Sequence, residues 1–109
     1  DRAVKVRIDT LDAVAERTGA GGPAILKLDV QGFELNVLAG AAKTLAACHL
    51  VQLEVLFESL YEGQAEFADL VRVLGGHGLH FADFVEERRM EPRNRLIYAD
   101  AAFIRRATI

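Results

Sequence analysis

The apolar positions of this 109-residue chain change their period several times, and each period predicts an element of secondary structure. Residues 4–8 alternate apolar and basic side chains, which is typical of a short strand with one wet face. Thr10 then stands where a helix N-cap belongs, and Asp12 falls in the first turn, where the helix dipole favours negative charge. We expect this helix to end near Gly19, because the glycine and proline cluster at 19–23 reads as a turn.

The middle of the chain predicts two buried strands and two further helices. Residues 24–30 and 50–57 are short aliphatic runs with few charges, the pattern of parallel strands buried on both faces. Between them, apolar residues at helical spacing predict a helix over 33–47, which Gly40 kinks or divides. An i, i+3, i+4, i+7 stripe over 67–74 predicts the last helix, closed by a glycine-rich turn.

The last third predicts an antiparallel hairpin. Residues 79–87 and 96–104 are rich in Phe, Val, Ile and Tyr, and a polar segment with a proline joins them. The order of elements is therefore strand, helix, strand, helix, strand, helix and two strands. We predict an α/β fold in three layers, with a mixed sheet, helices on both faces and a C-terminal antiparallel hairpin.

Composition limits the chain to one compact domain, residues 1–109, with 51% hydrophobic and 27% charged residues. Each strand-helix-strand step takes about 30 residues, so a complete two-half cofactor fold does not fit. The start at Asp1, without Met, favours a fragment of a longer protein. A net charge of −3 favours neither nucleic acid nor a membrane surface as a partner. The single Cys48 allows no internal disulfide and is compatible with a cytoplasmic protein.

The segment after the second predicted strand concentrates the candidate chemistry. Asp29 lies at the carboxyl end of that strand, where open α/β sheets bind their ligands. Gly32 lets the backbone turn there, so that Glu34 and Lys27 can approach the same pocket as general base or ligand anchor. Glu54, in the next strand, either faces this pocket or is a buried acid paired with an arginine. The competing structural interpretation is that Asp29 and Glu34 only cap and stabilise the following helix.

The other polar residues are weaker candidates for a functional site. His77 and His80 flank a glycine turn with poor ligand spacing, so no metal site is expected. Cys48 at a helix C-terminus is interpreted as a packing residue, because the negative end of the dipole disfavours a thiolate. Acids dominate residues 54–69 and arginines the C-terminal end. These charges either neutralise each other or leave a surface for an anionic substrate or partner on Arg88, Arg89, Arg93 and Arg95.

Three motifs in order resemble the FkbM family of S-adenosylmethionine-dependent methyltransferases. That family carries a threonine-leucine-aspartate helix start, a lysine-hydrophobic-aspartate-hydrophobic-x-glycine-x-glutamate core and a leucine-x-glycine-alanine segment. The chain reads Thr10-Leu11-Asp12, then Lys27-Leu28-Asp29-Val30-Gln31-Gly32-Phe33-Glu34, then Leu38-Ala39-Gly40-Ala41. The resemblance continues to the strand acid Glu54 and to the closing strand at 99–105, and so covers nearly the whole chain.

The resemblance implies O-methylation of a hydroxyl on a sugar, polyketide or other secondary metabolite. The implied fold is the C-terminal half of a Rossmann-like seven-stranded sheet. On this basis we expect catalytic roles for Asp29, Glu34 and Lys27, and substrate binding at Glu54 and Gly32. The family's glycine-rich cofactor motif and ribose-binding acid are absent, since the cluster at 19–22 follows a helix instead of a strand. We therefore expect a partial domain that is inactive alone, with cofactor-binding residues unknown.

Two other functions remain open on the sequence. A half-sheet exposes a strand edge and apolar surface, which favours a non-catalytic assembly module and predicts a homodimer. A magnesium-dependent phosphoryl-transfer or hydrolase site built from Asp29 and Glu54 is the third interpretation, and it lacks a phosphate-cradling loop.

Overall fold

The computed structural model describes residues 9–19, 24–30 and 32–106, which form four helices and four strands. The strand expected at 4–8 and most of the turn cluster at 19–23 lie outside the described residues. Every other predicted element is present. In chain order they are α1 (Leu11–Thr18), β1 (Ala24–Leu28), α2 (Glu34–Ala39), α3 (Ala42–Ala46), β2 (Cys48–Leu56), α4 (Phe67–Gly76), β3 (Leu79–Met90) and β4 (Arg95–Arg105).

The first helix is bounded as its end residues predict. The Thr10 hydroxyl accepts a hydrogen bond from the Ala13 amide at 3.1 Å, which satisfies one of the free N–H groups of the first turn. Gly19 ends the helix with a φ of 73°, in the left-handed region that glycine adopts without strain.

The long predicted helix is divided at Gly40 into α2 and α3. A Cβ atom at Gly40 would lie 2.9 Å from the Cβ atom of Thr10, so only glycine lets the two segments approach this closely. The backbone N–H of Asp12 donates to the Gly40 carbonyl at 3.0 Å across the same contact. The division therefore serves to pack α1 against the α2–α3 junction.

The sheet is mixed, as predicted, with strand order β1-β2-β4-β3. β1 and β2 are parallel, while β4 lies between β2 and β3 and runs antiparallel to both. The C-terminal hairpin is thus confirmed, and β3 continues to Met90, three residues further than expected. The α/β class and this topology agree with part of a Rossmann-like methyltransferase fold.

The described helices pack on one face of the sheet. Val51, Leu53 and Val55 of β2 are fully buried in one cluster with Leu38 of α2 and Leu74 of α4. Alternation along the strand sends the side chains between them to the other face. Ile25 is 75% exposed there. We predicted helices on both faces, whereas the helix residues in this cluster, which come from α2, α3 and α4, lie on one.

Arg105, the last residue of β4, joins three elements. Its guanidinium donates to the carbonyl oxygens of Leu45 at 2.7 Å, Cys48 at 2.9 Å and His77 at 2.9 Å. Leu45 and His77 belong to the C-terminal ends of α3 and α4, where backbone carbonyls lack helical partners and favour a cation.

Candidate functional site

Three connecting segments meet at one edge of the sheet. Because β1 and β2 are parallel, residues 29–30 and 57–66 both leave the sheet at its carboxyl edge. β4 runs the opposite way, so the tip of the β3–β4 hairpin reaches the same edge. The Arg95 guanidinium contacts the Glu58 carboxylate at 2.7 Å and ties the hairpin to the loop after β2.

The two acids of the central motif have different environments. Asp29 is exposed immediately after β1. Glu34, in the first turn of α2, is only 1% exposed, and its Oε2 accepts a hydrogen bond from the Val30 amide at 3.3 Å. The Phe33 amide donates to the Val30 carbonyl at 3.1 Å and closes the same turn. Glu34 therefore holds the backbone that presents Asp29 at the edge of the sheet.

Glu54 lies on the open face of the sheet, close to other carboxylates. It pairs in register with Asp100 of β4, whose carboxylate accepts a hydrogen bond from Nε2 of the Gln52 side chain at 3.3 Å. Burial raises the pKa of Glu54, and the negative charges of Asp29, Asp100 and Glu34 raise it further. The charges of three other acids therefore act on Glu54. No ion pair between Glu54 and an arginine occurs within the described residues.

Lys27 lies on β1 on the same open face as Glu54 and Asp100. It is exposed and pairs in register with Gln52, the neighbour that hydrogen bonds to Asp100. The structure therefore places all five predicted site residues, Lys27, Asp29, Gly32, Glu34 and Glu54, at or beside the carboxyl edges of β1 and β2. Whether they act in catalysis or substrate binding stays a prediction.

Gly32 is required by the loop that packs on it. Its φ of 93° lies in the left-handed region, and a Cβ atom there would lie 2.9 Å from the Cβ atom of Gln64. The Gly32 carbonyl accepts a hydrogen bond from the Ala65 amide at 2.9 Å. The 57–66 loop is thereby attached to the turn that carries Asp29.

Sequence reasoning missed Gln64 and treated Asp100 only as part of a strand motif. Gln64 has no periodicity, charge or motif that singles it out, since its role depends on contacts across a loop. Asp100 could have been found from the hairpin register. Once β4 is placed beside β2, the polar residues of the two strands fall opposite each other.

The remaining candidates have structural partners. The Cys48 thiol is buried, burial raises its pKa, and it donates to the Thr44 carbonyl at 3.2 Å. Two of the four hairpin arginines form ion pairs within the chain: Arg89 with Glu87 at 2.9 Å, and Arg95 with Glu58. Partial neutralisation of the surface is therefore observed. Across 9–19, 24–30 and 32–106, no group of three or more acids, histidines or cysteines is arranged to hold a metal ion.

The described residues do not form a cradle for S-adenosylmethionine. A dinucleotide-type cofactor loop needs glycines between a strand and a helix, where the backbone can approach the ligand. Gly32 has that position, but Gln64 and Tyr61 occupy the space next to its Cα atom. Gly19 ends a helix instead.

None of the helices described is long and apolar enough to cross a membrane.

Comparison with known proteins supplies the family. The sequence profile of the methyltransferase FkbM domain matches residues 1–86, more than half of the chain, and this range contains all three motifs and the acids Asp29, Glu34 and Glu54. No curated protein and no solved structure matches the chain. With the α/β topology and the motif residues gathered at one sheet edge, the profile match shows that the chain belongs to the FkbM methyltransferase family.

Proposed function

We propose that the carboxyl edge of β1 and β2 binds a hydroxyl-bearing acceptor for O-methylation, on a sugar, polyketide or other secondary metabolite. The observation that supports this most is the position of Asp29. It is exposed at the edge shared by two parallel strands, and its charge reaches Glu54 on the neighbouring strand. This edge is where α/β folds bind their ligands, and a methyltransferase needs a base beside the acceptor oxygen.

In this proposal the acids have distinct roles. Asp29 accepts a hydrogen bond from the acceptor hydroxyl and takes its proton as the oxygen becomes nucleophilic. Glu54 binds a second polar group of the acceptor. Glu34 acts through the Val30 amide and keeps the Asp29 turn in place. Lys27 offsets the negative charge of the cluster, since it lies on the same face.

The methyl donor that the family implies is S-adenosylmethionine. Because the family's glycine-rich cofactor motif does not occur in the sequence, we propose that its main binding surface lies outside residues 1–109. Isothermal titration calorimetry of the 109-residue chain with S-adenosylmethionine tests this, and no binding is expected. Micromolar binding by this chain would contradict the proposal.

Substitution of Asp29 tests the acceptor site. Asp29→Asn, made in a protein active in transfer of a labelled methyl group, should lower kcat by about 100-fold or more, the range of general-base assistance. Glu16→Gln removes an exposed acid from α1, outside the segments that meet at this edge, and should leave kcat unchanged. Equal turnover by the Asp29 variant and the wild type would exclude Asp29 as the base.

A second candidate function is assembly through β1. Among the described strands, β1 pairs only with β2, and its exposed Ile25 lies on the open face. A strand edge that no described strand covers, beside apolar surface, favours association, so we propose a homodimer. Light scattering should show a dimer that Ile25→Lys dissociates; a monomer at high concentration would contradict it.

We also propose a cytoplasmic location, which the lone buried Cys48 supports because the sequence offers no pair of cysteines for a disulfide.

A further inference from the structure

We propose that the outer edge of β3, at residues 86–90, pairs antiparallel with the same segment of a second copy of this chain. The proposal goes beyond the proposed function, because it needs neither the acceptor site nor the β1 edge. β1 and β3 are the two end strands of the described sheet, so contact through β3 is separate from assembly through β1.

The second half of β3 is exposed. Among the described strands β3 pairs only with β4, and all six residues from 85 to 90 are exposed. The outer side of an end strand presents backbone N–H and C=O groups to any strand that approaches it. Val85 and Met90, which are 51% and 52% exposed, place apolar surface at the two ends of this run. The segment therefore offers both the hydrogen-bonding groups and the apolar contacts that strand pairing uses.

The register of β3 confines such pairing to residues 86–90. Ala82 and Val85 are extra residues in β3 at two register shifts against β4. Bulges of this kind bend an edge strand and hinder a further strand from pairing there. The third shift lies between Arg88 and Arg89, and its extra residue, Ile97, belongs to β4. From 86 to 90, β3 itself is therefore regular and able to accept a neighbouring strand.

The charges of this regular segment are complementary to their own reversed order. The chain reads Glu86-Glu87-Arg88-Arg89, two acids followed by two bases. A two-fold axis perpendicular to the sheet joins two identical strand edges and makes the strands antiparallel. The acids of one copy then lie beside the bases of the other. Two parallel copies would instead place acid beside acid and base beside base.

Each face of β3 carries one acid and, two residues later, one base. Glu86 pairs in register with Asp100 of the open face, and Arg88 follows on the same side. Glu87 and Arg89 lie on the other side, where they form an ion pair at 2.9 Å. If Glu87 lies opposite its own copy, Glu86 lies directly opposite Arg88 of the second copy. Glu87 is then diagonal to Arg89 of the second copy, and cross-strand neighbours of both kinds are close enough to interact.

The balance of the charges distinguishes this edge from one that is protected against association. A run of charges of one sign keeps an edge strand apart from its copies by repulsion. Residues 86–89 are neutral as a whole, and neither Glu86 nor Arg88 has an ion-pair partner within the part of the chain that the structure describes. Both side chains are therefore available to a second copy, unlike Arg95, which contacts Glu58.

Variants of opposite charge test the pairing. Glu86→Arg and Arg88→Glu are each made in a parent chain that carries Ile25→Lys, which removes association through β1. Amide shifts of the ¹⁵N-labelled chains are followed over a dilution series at low salt, up to about millimolar protein, because so small a contact is weak. The parent should self-associate, and each variant alone should do so at least about threefold more weakly. An equimolar mixture of the two variants should associate as tightly as the parent.

The same spectra locate the contact. Association should shift the amides of residues 85–90 and leave those of β1 unchanged, and high salt should weaken it because exposed charges are screened. A parent chain that stays monomeric at this concentration would overturn the proposal. Equal self-association of the parent and both variants, or shifts confined to other strands, would overturn it as well.

Two further comparisons separate the contact from general effects of charge and folding. The double variant Glu86→Arg/Arg88→Glu restores the complementary order, so it should self-associate like the parent. If it is as weak as the single variants, complementarity does not drive the contact. Glu16→Arg and Arg72→Glu make the same changes in net charge on α1 and α4, at exposed positions, and should leave self-association unchanged. Effects as large as those of the β3 variants would reject the β3 contact.

The outcome is independent of the proposed function. If the β3 variants behave as expected while Asp29→Asn keeps full methyl transfer, the β3 contact stands and the proposed base fails. If light scattering finds no association that depends on Ile25, the β1 assembly fails and the β3 contact is still judged by its own variants. Unchanged association in the β3 variants, with methyl transfer lost in Asp29→Asn, rejects only the β3 contact.

Discussion

Asp12 caps a helix that begins thirty residues after it. Its Oδ1 accepts hydrogen bonds from the Thr44 amide at 2.8 Å and from the Thr44 hydroxyl at 2.7 Å, and its Oδ2 accepts one from the Lys43 amide at 3.0 Å. α3 has no side-chain cap of its own. The first motif of the family therefore stabilises the start of α3, next to the glycine of the third motif, Gly40.

This capping role predicts a pH-dependent stability. Hydrogen bonds from Lys43 and Thr44 lower the pKa of Asp12 below its ordinary value of 3.8. The stabilisation is present above that value and is lost as the pH falls through the lower pKa of the folded state. Asp12→Asn cannot accept both backbone bonds with two oxygens, so it should lower the urea midpoint at neutral pH and differ little from wild type in strong acid.

Asp69→Asn is the matched control for Asp12. Asp69 also lies in the first turn of a helix, α4, but its half-exposed carboxylate pairs with the exposed Arg72 at 3.4 Å. Its substitution should change the free energy of unfolding by no more than about 0.5 kcal/mol. A loss in the Asp12 variant that is no larger than in this control would contradict the capping role.

The Gly32 contact predicts a second stability effect. Gly32→Ala adds a Cβ atom 2.9 Å from the Gln64 Cβ atom at a φ of 93°, so both steric overlap and backbone strain oppose it. We expect a loss of about 2–4 kcal/mol in the free energy of unfolding. Gly63→Ala is the control, because Gly63 has a φ of 72° with no atom within 4 Å. It should cost only the backbone strain, about 1–2 kcal/mol. Equal losses would show that the Gln64 contact relaxes.

Much of the fold follows from local sequence patterns, and the site follows only in part. Periodicity predicts the helices and strands because burial on one face repeats along each element. Asp29 was predictable as an edge residue because it follows a buried strand. The partners of Asp12 and Gly32 were not, since Thr44 and Gln64 are distant in sequence and meet them only after the sheet and helices pack. The placement of the described helices on one face depends on chain crossovers that periodicity does not record.

The contacts of Arg105 at the end of β4 lead to a third prediction about stability. Arg105→Lys keeps the charge but replaces a planar group that reaches three carbonyls with a single ammonium. We expect the free energy of unfolding, measured with urea, to fall by about 2–4 kcal/mol because buried carbonyls lose their donors. Arg72→Lys, an exposed arginine on α4, should cost less than about 0.5 kcal/mol. A similar small change for both would contradict the role of Arg105 as a tie between elements.

Removal of the Glu54 charge is expected to stabilise the folded protein. Burial and the neighbouring acids Asp29, Asp100 and Glu34 raise the pKa of Glu54 above its ordinary value of 4.5. For an acid with a raised pKa, the favourable contribution is complete below the ordinary value and is lost as the pH rises through the folded-state pKa. Glu54→Gln should therefore raise the Tm at neutral pH and have no advantage below pH 4.5.

The gain from Glu54→Gln should be less than about 1 kcal/mol, because the side chain is half-buried and water screens the repulsion. Glu16→Gln, an exposed acid on α1, should leave the Tm unchanged over the same pH range. If the Tm of the Glu54 variant falls at neutral pH, its carboxylate is stabilised by the fold, and the four acids do not repel one another as their positions imply. A gain that persists unchanged in acid would instead point to better packing of the amide. A higher Tm that appears only at pH values where Glu54 is ionised would show that its charge is unfavourable in the folded state. Such unfavourable charges are common at ligand-binding sites.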